Sequence, residues 1–240
     1  MISFLVACYN EEKNIISTIK EIENTCNDLQ IKSFEILVID DCSNDNSNKI
    51  VDEYSKNYKY IHLLTNKSNL GYGGSIKKAA KFSIKEYIIW VPGDNAHKKK
   101  ELTKILKYLG NYDVLSTYYT NTETRNKFRR FFTKTYTPIL NFIFGLKLPY
   151  YNGVTLIKRA VFNNLEIQTN SHNFSVEMWV KIKLFYNLKI EFVPTLLDER
   201  IKGANAFKLK NSIKVLTNTI RLIFYYYWIN LLKYFNLKTK

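Results

Sequence analysis

Apolar residues follow two rhythms along the first 120 residues. Unbroken runs of strand length occur at ISFLVAC (2–8), FEILVID (34–40), YIHLL (60–64), YIIWVP (87–92) and DVLSTYY (113–119). Their lack of polar alternation predicts strands covered on both faces. Between the runs, apolar residues return every three or four positions. Ile15, Ile16, Ile19, Ile22, Cys26 and Leu29 mark a helix within 11–29. Asn44 or Asp45 can cap a helix reaching about Tyr58. NLGYGGS (69–75) opens a helix through Lys85, and 98–109 forms another. Repeated strand–helix units predict an α/β fold with a mostly parallel central sheet flanked by helices. In such sheets ligands bind beyond the carboxyl ends of the strands.

The second half is less regular. Residues 124–144 form a helical stretch, basic and aromatic, interrupted by Pro138. NGVTLIKR (152–159) returns to a strand, 174–188 reads as an amphipathic helix, and KIEFVP (189–194) as a short strand. The last thirty residues read as one amphipathic helix. No internal repeat or low-complexity linker breaks the chain.

Composition narrows this picture. A chain of 240 residues, 46% hydrophobic, can bury a substantial core in one domain with an appendage. Cys8, Cys26 and Cys42 form no CxxC pair, which argues against a disulfide framework or a zinc site and fits a reducing compartment. The N-terminal apolar run lacks a basic flank and meets acids at once, so it is a strand and not a signal peptide. The net charge is +15 and is concentrated. Arg125, Lys127, Arg129, Arg130, Lys134 and Lys147 lie in 124–150 without an acid. Lys202, Lys208, Lys210, Lys214, Arg221, Lys233, Lys238 and Lys240 lie in 201–240, again without one. Basic residues among aromatics suit a nucleic acid, an anionic membrane surface or a phosphorylated lipid. No RNA- or DNA-binding motif accompanies them, so nucleic acid is not expected.

Polar residues gather just after strands one, two and four: Tyr9-Asn10-Glu11, Asp40-Asp41-Cys42-Ser43-Asn44-Asp45, and Gly93-Asp94-Asn95-Ala96-His97. If the strands are parallel neighbours, the clusters share one edge and make one site. Acids there can accept hydrogen bonds from ribose or base NH groups, or hold a hard divalent cation through oxygen. The turn Gly71-Tyr72-Gly73-Gly74 is not a dinucleotide fingerprint, because its spacing is not GxGxxG and it follows strand three.

The ordered set YNEE, VIDDCSNDNS, NLGYGGSIKKA and WVPGDNAH resembles a family 2 glycosyltransferase of the GT-A, nucleotide-diphospho-sugar transferase, fold. Within that family it is most similar to polyprenyl-phosphate sugar transferases of the dolichol-phosphate mannosyltransferase kind. The resemblance covers roughly residues 2–205. It implies a transferase domain over 1–205, with a donor half (1–120) and an acceptor half (121–205), followed by a membrane-associating helix over 206–240. It also implies donor contacts: Tyr9, Glu11 and Asp41 at the nucleoside, with Asn10 and Asp40 beside them, and Gly71 and Gly73 letting backbone approach the donor. The family's acid pair after strand four holds Mg2+ or Mn2+ against the diphosphate. Here that triplet is Pro92-Gly93-Asp94, so Asp94 alone remains to hold the metal, and Ala7 replaces the family's proline before YNE.

In the acceptor half, Glu177 stands at the position of a frequent family acid, and Arg200 and Lys202 match a basic element that contacts phosphate. The expected catalytic set is Asp94, Glu177 and Arg200. Arg129, Arg130, Lys134, Lys202 and Lys208 are expected at the acceptor phosphate or the membrane. A lipid phosphate acceptor is already anionic and needs no base, whereas a hydroxyl acceptor needs a carboxylate, for which Glu177 is the candidate. The apolar run LIFYYYWINLL (222–232) would span roughly 16 Å as a helix, against about 30 Å for a bilayer core. It therefore reads as lying in the interface, at the cytoplasmic face of a membrane, without a full transmembrane span. The expected activity is inverting sugar transfer from a nucleotide sugar to a polyprenyl phosphate. Transfer to a hydroxyl of a surface glycan and a non-catalytic binding module of the same fold are the alternatives. Nothing in the sequence sets the oligomeric state, and the absence of Gln-x-x-Arg-Trp argues against processive synthesis.

Overall fold

The structure, a computed structural model, describes residues 1–121, 127–196 and 209–235; within 127–133 and 209–214 it describes the backbone alone. The strands are β1 (Ile2–Cys8), β2 (Phe34–Asp40), β3 (Ile61–Thr65), β4 (Tyr87–Pro92), β5 (Val114–Tyr119), β6 (Thr155–Lys158) and β7 (Ile190–Thr195). The helices are α1 (Ile15–Asp28), α2 (Ser47–Ser55), α3 (Tyr72–Phe82), α4 (Lys99–Leu106), α5 (Lys127–Phe144), α6 (Arg159–Asn164), α7 (Phe174–Phe185) and α8 (Leu209–Tyr234).

The strands form one sheet in the order β3-β2-β1-β4-β6-β5-β7. The first four in this order are mutually parallel. β6 runs antiparallel to β4 and to β5, and β5 pairs with β7 in parallel. The sequence pattern predicts parallel units continuing through the fifth strand. β5 keeps that direction but does not neighbour β4, because β6, only four residues long, takes the edge of β4 and displaces β5 outward. Ser116 and Thr155, facing each other there inside the sheet, satisfy their hydroxyls mutually at 2.9 Å.

Each apolar strand feeds two cores, which is why its sequence does not alternate. Ile2, Phe4, Val6 and Cys8 of β1 pack with Ile36 and Val38 of β2 under α1, α2 and α4. Leu5, Leu37, Ile39, Ile88 and Trp90 pack on the other face under α3, α5, α6, α7 and α8. α5 runs through Pro138, although the sequence pattern predicts an interruption. Pro138 sits on an exposed side, where the carbonyl that loses its donor can turn to solvent.

α7 departs from the amphipathic expectation. All but two of its twelve residues are buried, because α8 covers the side that would otherwise meet water. α8 places Leu222 and Ile229 in the core against α7 and α5. Its opposite side leaves Leu216, Ile220, Phe224, Tyr227, Trp228 and Leu231 exposed, at spacings of three and four residues. The helix is apolar on two opposite faces, and among the described residues only one of them is covered. No helix among the described residues is long and apolar enough to cross a membrane.

Candidate active site

Strand register brings the polar clusters to one edge. Cys8 pairs with Asp40, Asp40 with Thr65, and Ala7 with Pro92. The loops leaving β1, β2, β3 and β4 therefore start side by side. In three of them the chain turns through a left-handed residue: Asn10 (φ 57°), Cys42 (φ 65°) and Asn95 (φ 55°). Asn tolerates this region; for Cys42 it costs about 1–3 kcal/mol and persists only because the surroundings over-determine it.

The loops after β1 and β2 are stitched together. The Asn10 amide donates to Ser43 Oγ at 3.0 Å, and the Asn44 amide donates to Asn10 Oδ1 at 2.8 Å. The Glu11 amide donates to Ser47 Oγ at 2.8 Å and the Glu12 amide to Asp45 Oδ2 at 3.1 Å. Glu11's own carboxylate accepts from Asn14 Nδ2. Tyr9, 43% exposed, and Asn10 stand open at the lip of this pair of loops. Asp40 is buried beneath them, accepting from the Ser43 amide and from Asn48 Nδ2.

Asp41, 4% exposed, ties the second loop to the glycine turn. Its Oδ1 accepts from Asn66 Nδ2 and from the Leu70 amide, both at 2.8 Å; its Oδ2 accepts from the Gly71 amide at 2.9 Å. The resemblance implies a nucleoside contact for Asp41; here its carboxylate is spent on shaping the loop that follows β3. Asn66 is satisfied in turn, donating also to Ser75 Oγ and accepting from Lys78 Nζ. Gly71 has φ 80°, and a Cβ there would lie 2.8 Å from the Asn170 carbonyl oxygen. At Gly73 a Cβ would lie 2.7 Å from the Ser171 carbonyl oxygen. What comes within close range of these glycines is the chain's own 170–171 backbone, with the Gly74 amide donating to Asn170 O at 3.2 Å.

After β4, Thr18 of α1 clamps the turn. Its Oγ1 donates to Gly93 O and accepts from the Asn95 amide, each at 3.0 Å. Asp94 is half-buried, and its Oδ1 accepts from the Ala96 amide at 3.2 Å. Asn95 Oδ1 is buried without a hydrogen-bond partner, a hard oxygen donor one residue from Asp94. Among the described residues no group of three or more His, Cys, Asp or Glu could cage a metal ion. This donor set fits a cation that arrives with phosphate oxygens and keeps its waters, as Mg2+ does. His97 is buried, with Nδ1 3.2 Å from Glu101 Oε2.

Glu177 lies on the far side of the glycine loop and is 3% exposed. Its two oxygens accept the amides of Gln168 and Thr169, each at 2.8 Å. Lys181 Nζ approaches one oxygen at 3.2 Å and Arg221 Nη2 of α8 the other at 3.7 Å. Burial pushes its pKa up, but the amides, the Thr169 hydroxyl and Lys181 outweigh it and hold the group below the ordinary carboxylate value. Lys134 is exposed on α5. Arg200, Lys202 and Lys208 lie outside the described residues, as do the side chains of Arg129 and Arg130.

The structure thus brings together Tyr9, Asn10, Glu11, Asp40, Asp41, Gly71, Gly73 and Asp94, and sets Glu177 behind them. Sequence reasoning missed Thr18, Asn66 and the 166–173 loop. Asn66 carried a signal, a polar residue directly beyond a strand. The loop carried none, since it touches the glycines through backbone carbonyls.

Comparison with known proteins gives a consistent picture. The pattern of glycosyl transferase family 2 matches residues 3–165. An uncharacterised protein of Methanocaldococcus jannaschii is 26% identical over 193 residues, covering 75% of this chain and 80% of that protein. A dolichyl-phosphate β-glucosyltransferase of Trichomonas vaginalis is 29% identical over 118 residues, 48% of this chain and 35% of that enzyme's length. The match therefore spans about a third of that relative. Glucosyl-3-phosphoglycerate synthase from Mycobacterium tuberculosis, solved with Mn2+, UDP and phosphoglyceric acid, superposes with a TM-score of 0.68 at 16% identity. That superposition covers 93% of this chain and 78% of that one.

The Glu177 carboxylate, whose folded pKa is depressed, contributes stability that is fully present above its unfolded pKa of about 4.3. That contribution is lost as pH falls through the folded value. Glu177→Gln is expected to destabilise the protein by roughly 2–4 kcal/mol at pH 7. The difference should shrink below about pH 4. Denaturant unfolding at several pH values checks this; a difference independent of pH would contradict it.

Proposed function

The chain belongs to glycosyl transferase family 2 and is a glycosyltransferase with the GT-A fold, and from that premise we propose that it transfers a sugar, with inversion, from a nucleotide sugar to a polyprenyl phosphate at a membrane surface. The observation that carries this reading is the convergence of the four loops at the carboxyl edge of β3, β2, β1 and β4. The edge is open at Tyr9 and Asn10 and carries Asp94. Tyr9, Asn10 and Glu11 meet the nucleoside in this reading. Asp40 and Asp41 act from beneath, by fixing the loops on which the donor rests. Arg200 neutralises phosphate charge, a role assigned from the sequence pattern.

A divalent cation, Mg2+ or Mn2+, held at Asp94 with the donor's own phosphate oxygens, would neutralise charge on the departing diphosphate. Asp94's task is then to place that charge beneath the leaving group, where a preorganised site makes it most effective. A solved neighbour of the same fold holds Mn2+ with UDP, which supports a divalent metal in this reading.

Two observations favour a lipid phosphate over a glycan hydroxyl. A hydroxyl must lose its proton to a base within hydrogen-bond reach. Glu177, the base the sequence offers, is buried with both oxygens engaged. A phosphate oxygen is anionic at neutral pH and needs no base. The second observation is the outer face of α8. Phe224 is 73% exposed and Trp228 59%, in a segment of the chain with basic residues and no acids. Aromatic rings beside cations suit an anionic lipid surface. Lys134, with Arg129, Arg130, Lys202 and Lys208, would add charge at that surface or at the acceptor phosphate. The dolichyl-phosphate relative supports the same acceptor class. The family finding displaces the alternative of a non-catalytic binding module.

Incubation with a panel of nucleotide sugars and polyprenyl phosphate, followed by lipid extraction and mass spectrometry, is expected to yield a glycosyl-phospholipid. Asp94→Ala should slow its formation by about 10²-fold or more. Product found only on glycan hydroxyls would overturn the acceptor, and full turnover by the Asp94 variant would overturn the metal role. In flotation with vesicles containing anionic lipid, Phe224→Ser/Trp228→Ser is expected to stay with the soluble fraction while the parent floats. Equal partitioning would exclude α8 as the contact.

A further inference from the structure

The 166–173 loop lies between the glycine turn and α8, and it is held from both sides. Toward the turn, Asn170 O accepts the Gly74 amide, the Asn170 and Ser171 carbonyls fill the space that Cβ atoms at Gly71 and Gly73 would need, and the Tyr72 ring stacks on His172 at 4.8 Å. Toward α8, Asn218 Nδ2 donates to Ser171 Oγ at 3.3 Å, and Asn173 Nδ2 donates to Thr219 Oγ1 at 3.1 Å. Arg221 Nη2 donates to Thr169 Oγ1 at 3.4 Å and lies 3.7 Å from Glu177 Oε2. Glu177 itself grips the amides of Gln168 and Thr169.

Asn218 and Thr219 make these contacts from the covered side of α8, whereas Arg221, its side chain 56% exposed, stands at the flank of the aromatic stripe and reaches from there to the loop. An anchor needs only the stripe. Lipid binding gives no reason for three polar side chains within one turn to be directed at the same loop. A loop whose backbone carbonyls sit directly against the glycine turn transmits displacement to it, because the closest contacts are made by backbone.

We propose that Arg221, Asn218 and Thr219 of α8 are positioning residues for the nucleotide-sugar donor, acting through the 166–173 loop on the glycine turn. The proposal rests on the reading above, in which the turn that Asp41 fixes is one of the loops on which the donor rests. α8 is then a working part of the donor site and not only a membrane contact. Donor affinity depends on it even where no lipid is present.

The test uses the full chain in vesicle-free solution. Titration calorimetry measures UDP and GDP binding with Mn2+ for the parent, Arg221→Ala, Arg221→Lys and Phe224→Ser. Arg221→Ala is expected to weaken nucleotide binding about tenfold, the loss of one charge-assisted contact. Arg221→Lys should recover most of the affinity, and Phe224→Ser, on the lipid-facing stripe, should bind as the parent does. In turnover assays the Arg221→Ala defect should fall on the donor KM with kcat retained, since the residue touches neither reacting group. If Arg221→Ala fails to give a cooperative unfolding transition, Asn218→Ala carries the same expectation. Parent-like affinity in the Arg221 and Asn218 variants overturns the inference while leaving the donor site intact. An equal loss in Phe224→Ser overturns it too, since the effect would then be general loosening of the helix. A parent chain that binds neither nucleotide overturns the donor-site reading itself.

Discussion

The Asp41 carboxylate accepts three hydrogen bonds from the segment that follows β3, and the shape of the site depends on them. A buried carboxylate is costly unless its lone pairs are filled, and here backbone amides and Asn66 fill them. The consequence runs outward in both directions. Toward the sheet, Asp41 follows the last residue of β2, and its amide donates to Cys8 O, so the glycine turn is indexed to the strand edge. Away from the sheet, the fixed turn gives the 166–173 loop a surface to rest on, and that loop sets the height of α7 and α8.

The same logic governs the charges deeper in the molecule. α7 is buried on nearly all sides and carries Glu177 and Lys181 into the interior. They are tolerated because they answer each other and because Glu177 also closes two amides and Lys181 the Glu166 carbonyl. This network leaves both Glu177 oxygens engaged inside the protein.

Much of this architecture was legible in the amino-acid sequence, and the limits have physical causes. β1, β2 and β4 were read at their observed ends because buried strands have unmistakable apolar runs. The shared edge of the polar clusters followed from assuming parallel neighbours, which the register of β1 with β2 and β4 bears out. The insertion of β6 between β4 and β5 was not legible, since four apolar residues do not declare a partner. Nor was the burial of α7, which is imposed by α8, the next described helix along the chain. Asp41 was legible as important and not as a pin, because its partners at 66–71 are mostly amides. Side-chain patterns record hydrogen bonds between side chains far better than those made by backbone.

Asp41 pre-forms the site's glycine turn, which shares its rigidity with the 166–173 loop. Hydrogen–deuterium exchange on the nucleotide-free protein, parent against Asp41→Asn, tests it most directly. The account expects peptides spanning 66–75 to exchange slowly in the parent and about 10- to 100-fold faster in the variant, the loss of a charge-assisted hydrogen bond. Peptides from 166–173 should follow them, and those from β1 and β2 should stay protected. Unchanged protection of 66–75 in the variant, or acceleration there without any in 166–173, would contradict it.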